Sequence, residues 1–119
     1  MAEKSKLLQN IIDGIQEKKG KNINTISLKG VTGAICDYFV ICEGNTPTQV
    51  SALAESIEKI VKEKTLESPI SVQGKQLSEW IGMDYGDIIV HIFIPELRSF
   101  YNLEHLWEDA ISERIPTLD

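Results

Sequence analysis

Trp80, Asp84, Tyr85, Asp87 and His91 lie close together in one short stretch, Trp80-Ile81-Gly82-Met83-Asp84-Tyr85-Gly86-Asp87-Ile88-Ile89-Val90-His91-Ile92-Phe93. These are the residue types that bind and react. The stretch reads as two β-strands joined by a tight turn at Tyr85-Gly86, where Gly86 supplies the positive φ of a short hairpin. Side chains alternate across a strand. Pairing Asp84 with Asp87 therefore places Trp80, Gly82, Asp84, Asp87, Ile89 and His91 on one face and Ile81, Met83, Ile88, Val90 and Ile92 on the other. The second set is apolar and must be core. The first mixes an indole, two carboxylates and an imidazole. A core does not hold unpaired carboxylates cheaply, and a solvated face has no use for a tryptophan, so the mixture points to a contact surface. Trp80 has two readings: core roofed by a helix, or an aromatic anchor of the kind enriched at interfaces. Gly82 and Asp84 on the same face tilt the choice to an interface, with Tyr85 at the hairpin tip.

Catalytic chemistry has weaker support. His91 could be a general base, because imidazole titrates near neutrality, and in this register it lies across from Trp80. No serine or cysteine is placed for it to activate, so a structural or interface histidine is the better reading. Two-metal phosphoryl chemistry needs paired carboxylates on adjacent strand positions. The sequence has no Asp-x-Asp or Glu-x-Glu on a strand, and it lacks both the phosphate-loop and the dinucleotide fingerprints. Cys42, at a strand end before a helix, could be a low-pKa thiol. The simpler reading makes Cys36 and Cys42 half-buried thiols in a reducing compartment. The start of a helix at Asn45-Thr46 could hold an anion, as any helix start can.

The elements that position these residues follow from periodicity. Leu7, Leu8, Ile11, Ile12 and Ile15 recur at helical spacing, and Gly20 ends that helix. Ile23 to Leu28 reads as a strand, and Lys29-Gly30-Val31-Thr32-Gly33 as a loop. Tyr38 to Cys42 reads as a strand buried on both faces. Thr46, Pro47 and Gln49 are the N-cap, first helical residue and capping-box partner of a helix that buries Val50, Leu53, Ala54, Ile57 and Val61. Pro69 and Gly74 bound a short strand from Ile70 to Gln73, and the hairpin follows. Phe100, Leu103, Trp107, Ala110 and Ile111 form the stripe of a final helix, along which Arg98, Tyr101 and Glu104 could pair or frame the contact face. His105 faces solvent, and Pro116 closes the structured part. The order α-β-β-α-β-β-β-α predicts an α/β protein with a mixed β-sheet and helices packed on it.

Bulk properties narrow the classes. The 119 residues suit one domain, and 42% hydrophobic with 25% charged is an ordinary globular balance. No apolar run reaches the length of a membrane helix, and the amino terminus lacks an apolar signal segment, so a cytoplasmic location is expected. The formal net charge of −6 argues against binding through phosphates, which calls for a basic patch. Lys18, Lys19 and Lys21 could touch phosphate, but a hydrated turn is the simpler account. An acidic domain suits a basic protein surface, where opposite potentials speed encounter.

Trp80, then Asp84-Tyr85-Gly86-Asp87, Val90-His91-Ile92-Phe93, Arg98, Tyr101, Leu103-Glu104 and Leu106-Trp107 resemble the signature of the ribosomal silencing factor, or Iojap-like, family. Asp37-Tyr38-Phe39-Val40-Ile41 and Gly44-Asn45-Thr46 agree with it. The resemblance runs from about Leu7 to Trp107. It implies one such domain over residues 1–119, with a short extension after about residue 112. It also implies a nucleotidyltransferase-like topology; with no carboxylate pair on a strand, the catalytic metal site of such a fold is missing, and no enzymatic activity and no cofactor are expected. The implied partner is the large ribosomal subunit, bound through large-subunit ribosomal protein fourteen with a minor rRNA contact. The bound factor would block joining of the small subunit and silence translation. No membrane partner is expected, and the free protein is expected to be a monomer or weak dimer. Trp80, Asp84, Tyr85, Asp87 and His91 are the expected contacts. A metal-dependent nucleotidyltransferase and an RNA-binding module are the alternatives.

Overall fold

A computed structural model describes residues 2–31 and 33–117 of the chain. Thr32 of the predicted glycine loop, Met1 and residues 118–119 lie outside the described residues. The element order is α1 (Ala2–Glu17), β1 (Lys21–Ser27), β2 (Tyr38–Glu43), α2 (Pro47–Thr65), β3 (Ser71–Gln73), β4 (Trp80–Asp84), β5 (Ile88–Phe93), α3 (Pro95–Tyr101), α4 (Leu103–Leu106) and β6 (Ile111–Ile115). The strands form one sheet in the order β3-β4-β5-β2-β1-β6. Among the described residues, β2 and β5 pair in parallel and the other neighbours are antiparallel. The mixed α/β architecture expected from the sequence is therefore the one observed.

The helices α1 and α2 cover one face. Ile11, Ile15, Leu53, Ile57 and Val61 meet Val40, Cys42, Ile81, Met83, Ile88, Val90 and Ile92 in an apolar core. The two helices approach closely at Gly14, where an added Cβ would lie 2.8 Å from the Ile57 Cα. Ser56 Oγ also donates to the Gly14 carbonyl at 2.8 Å. The start of α2 is capped as its sequence requires: Gln49 N–H donates to Thr46 Oγ1 at 3.1 Å, while Gln49 Oε1 accepts from Asn45 N–H at 2.7 Å. At the end of α1 the left-handed residue is Lys19 (φ 58) rather than Gly20. Gly20 is needed for space, because a Cβ there would lie 2.4 Å from Ile15 Cγ2.

Two elements differ from expectation. The predicted final helix is broken: Asn102 adopts φ 47, ψ 53 and separates α3 from the single turn of α4. Ile111, expected on its apolar stripe, instead begins β6, and residues 111–115 pair antiparallel with β1. That edge of β1 offers unpaired N–H and C=O groups, and ladder bonds there satisfy more backbone than two further turns of a frayed helix. Leu103, Trp107 and Ala110 still pack on the sheet, whereas Phe100 and Ile111 are exposed.

Candidate functional site

The hairpin pairs Gly82 with His91, Trp80 with Phe93 and Asp84 with Ile89. The predicted register, which set Asp84 against Asp87 and Trp80 against His91, is off by two residues. The two-residue loop is Gly86-Asp87, closed by Tyr85 N–H donating to the Ile88 carbonyl at 2.9 Å, with Gly86 at φ 90. A two-residue slip preserves the alternation of faces. Trp80, Gly82, Asp84, Ile89 and His91 therefore still share one face, and Phe93 joins them. That face also carries Asn24, Ile26, Phe39 and Ile41 from β1 and β2.

Each candidate residue has a definite place. Trp80 is half-buried and lies against Phe93 at 5.0 Å and Tyr101 at 4.5 Å between ring centroids. Its indole N–H donates to His91 Nδ1 at 3.1 Å. Burial lowers the His91 imidazole to about 4, so the ring is neutral at pH 7. Asp84 is half-buried, and its carboxylate accepts from Gly86 N–H at 2.7 Å, capping the turn from within. Asp87 is exposed in the loop, and its carbonyl accepts from Asp37 N–H at 2.8 Å, tying the hairpin to the start of β2. Tyr85 is displaced from its expected place. It is 7% exposed and belongs to the α1/α2-covered core, on the opposite face from Trp80. Alternation continues one residue past Asp84, so the Tyr85 ring turns inward. Burial, followed by the charges of Glu58 and Glu67, pushes its hydroxyl well above the ordinary range.

The segment α3–α4 supplies the wall beside Trp80, and Arg98 holds it there. Arg98 is 8% exposed. Its Nε and Nη2 donate to Glu104 at 3.0 and 2.9 Å, and its Nη1 donates to Glu43 at 3.1 Å and to the Asn22 carbonyl. Asn22 has φ 52 within the irregularity of β1. Glu104 also accepts from Asn24 Nδ2 at 2.8 Å. Burial alone would lower the Arg98 pKa; the hydrogen bond and charge of Glu104, with the charge of Glu43, outweigh it and raise the value. Bonding to Arg98 in turn holds the Glu104 carboxyl below the ordinary carboxylate range. The sequence offered Arg98, Tyr101 and Glu104 as local helix pairs or as a frame for the contact face, not the six-residue Arg98–Glu104 bond. It gave no sign of Glu43, Asn22 or Asn24, which lie far away in the chain.

The reactive-group candidates resolve against catalysis by these residues. Cys42 is fully buried, and burial pushes its thiol up to about 12, contrary to a low-pKa nucleophile. Burial likewise raises Cys36, whose Sγ donates to the Tyr38 carbonyl at 3.3 Å. Among the described residues, His91 is hydrogen-bonded to the Trp80 indole rather than to a nucleophile. His105 is exposed and lies 3.1 Å from Glu108. The arrangement can do something else: present a half-buried indole beside exposed apolar and acidic side chains on a sheet face that α3–α4 covers only in part.

A family model described as "Ribosomal silencing factor during starvation" matches residues 1–119. A Halalkalibacterium halodurans ribosomal silencing factor is 36% identical over 104 residues, 87% of this chain and 87% of that protein. A Bacillus subtilis ribosomal silencing factor is 36% identical over 94 residues, 79% of this chain and 78% of that one. A Mus musculus protein named for mitochondrial assembly of the ribosomal large subunit is 33% identical over 73 residues, but these are 32% of its length. Among solved structures, a Chromobacterium violaceum protein superimposes with a TM-score of 0.82 at 28% identity, covering 87% of this chain and 85% of that one. A Bacillus halodurans protein does so with a TM-score of 0.76 at 33% identity, covering 87% and 94%.

Proposed function

Since the chain belongs to the ribosomal silencing factor family, we propose that it binds the large ribosomal subunit through large-subunit ribosomal protein fourteen. There it stands in the way of the small subunit and represses translation without turning over a substrate. The reading rests on the family and on one structural observation: the Trp80 face. A half-buried indole lies beside exposed Tyr101 and Phe100, with Asp84 and Asp87 at the adjoining hairpin end. Aromatic anchors of this kind dominate binding energy at protein interfaces. The carboxylates and the net charge of −6 suit a basic ribosomal protein surface. Trp80, Asp84 and Asp87 form the contact in this proposal. His91 belongs to it from beneath Trp80, and Tyr85 supports the hairpin from the core side. The free protein is a cytoplasmic monomer or weak dimer in the same reading.

The test mixes purified large and small subunits with an excess of the protein and follows assembled ribosomes by sedimentation. Joining should fall while the protein travels with the large subunit. Undiminished joining at full occupancy would sink the mechanism. Asp87→Lys probes the face, because Asp87 is exposed and its substitution spares the turn cap that Asp84 makes. It should weaken binding roughly tenfold or more, since like charges across an interface cost several kcal/mol. Wild-type affinity should also fall as salt rises.

A further inference from the structure

His91 lies at the centre of the proposed docking face, yet neither of its nitrogens is free to meet a partner. Nδ1 is taken by the Trp80 indole N–H at 3.1 Å. Nε2 is buried and has no hydrogen-bond partner. The indole N–H can only donate, so Nδ1 must carry the lone pair and the ring proton must sit on Nε2. The imidazole is therefore locked in one neutral tautomer, with its remaining donor unpaired among aromatic rings. Phe39 meets it edge-to-face at 5.0 Å, and Phe93 lies nearly parallel at 6.1 Å. A phenylalanine would fill this box without stranding a donor. Packing alone does not account for a histidine here.

The Trp80 hydrogen bond does. The rings of Phe93 and Tyr101 also lie against the indole, and ring packing is less directional than a hydrogen bond. Gly82 sits directly across from His91, and a Cβ added there would have nothing within 4 Å. The adjoining position of β4 thus supplies no side chain to wedge the indole. The directional contact on the indole is its hydrogen bond to His91.

We propose that His91 is a positioning residue for docking: it accepts from the Trp80 indole and sets the orientation in which Trp80 meets the partner, without touching the partner itself. This rests on the reading of Trp80 as a docking anchor. Burial favours the neutral ring that the role requires.

The test uses ¹⁵N-labelled full-length protein, in which Trp80 and Trp107 give the two indole N–H signals, and affinity for isolated large subunits. Trp80→Ala assigns the signals. His91→Phe keeps the ring and removes the acceptor. His91→Asn puts Oδ1 where Nδ1 stood and restores an acceptor. His91→Phe should shift the Trp80 indole signal and weaken binding about tenfold, the worth of one well-placed hydrogen bond. His91→Asn should hold the signal near its wild-type position and bind within about threefold of wild type. A main-chain spectrum shows whether each variant is folded; if the smaller Asn side chain fails to fold, His91→Phe alone decides. The inference is overturned if folded His91→Phe binds like wild type while Trp80→Ala loses binding, an outcome that leaves the docking reading standing. It is also overturned if folded His91→Asn is as weak as His91→Phe. If Trp80→Ala itself binds like wild type, the docking reading falls and this inference falls with it.

Discussion

The two faces of the sheet are held by different physics. Under α1 and α2 the contacts are aliphatic: Ile11, Ile15, Leu53 and Ile57 against Val40, Val90 and Ile92. On the other face α3 and α4 are short, and Phe100, Tyr101 and Leu106 remain exposed. Leu97, Leu103, Trp107 and Ala110 pack on that face, and Arg98 pins the segment through its bonds to Glu104, Glu43 and the Asn22 carbonyl. Burial energy scales with apolar area and is indifferent to direction. Charge-assisted hydrogen bonds are directional and fix one geometry. One face thus holds by burial, and the other adds directional bonds that define the arrangement of its aromatic side chains. The polar bonds at Arg98, Trp80 and His91 lie on the face proposed to dock.

Substitutions can break or sharpen that contrast. The largest stability loss is expected from Ile57→Ala, about 4 kcal/mol in denaturant unfolding, because it opens a cavity where two helices cross in close contact. The loss should appear as a fall in global stability, with the folded fraction still binding large subunits. Arg98→Met should cost about 3 kcal/mol, because it leaves the Glu104 and Glu43 carboxylates without their cation in a largely buried site. Its signature should be local: faster amide hydrogen exchange over residues 95–110 than over β2 and β5. Uniform loss of protection, or none, would mean that both faces are held alike.

A smaller effect should appear in pH dependence. The folded-state value of His91 is depressed by burial from 6.5 to about 4. Between these values the unfolded chain binds a proton that the folded chain refuses. The stability contributed by the neutral ring is therefore complete above pH 6.5 and is lost as pH falls through about 4. His91→Phe should flatten that part of the stability profile relative to wild type. Parallel profiles for the two proteins between pH 7 and 4 would place His91 in a more open setting. The smallest effect is expected from Gly82→Val. Gly82 has an open approach and no positive φ, so a β-branched residue should raise stability by about 0.5 kcal/mol. A loss in thermal unfolding would show that the sheet face beside His91 is tighter than its geometry indicates.

Local chemistry determined much of this protein from the sequence alone. Apolar periodicity located α1 and α2, Thr46-Pro47-x-Gln49 fixed where α2 begins, and the unbroken apolar run located β2. The strand period of two was enough to sort Trp80, Gly82, Asp84 and His91 from Ile81, Met83, Val90 and Ile92, even with the hairpin register two residues out, because an even slip leaves every side chain on its own face. Tertiary structure decided the remainder, since those contacts join residues distant in sequence. The free edge of β1 drew residues 111–115 into a strand that helical periodicity alone could not foresee. The Asn102 break brought Glu104 back to Arg98, whose Nη1 also reaches Glu43 and the Asn22 carbonyl. Strand alternation carried Tyr85 into the core, although a turn glycine beside it looks like a tip. Only the closed fold set the Trp80 indole against His91 Nδ1, because that bond depends on a register and a ring orientation that residue types do not encode.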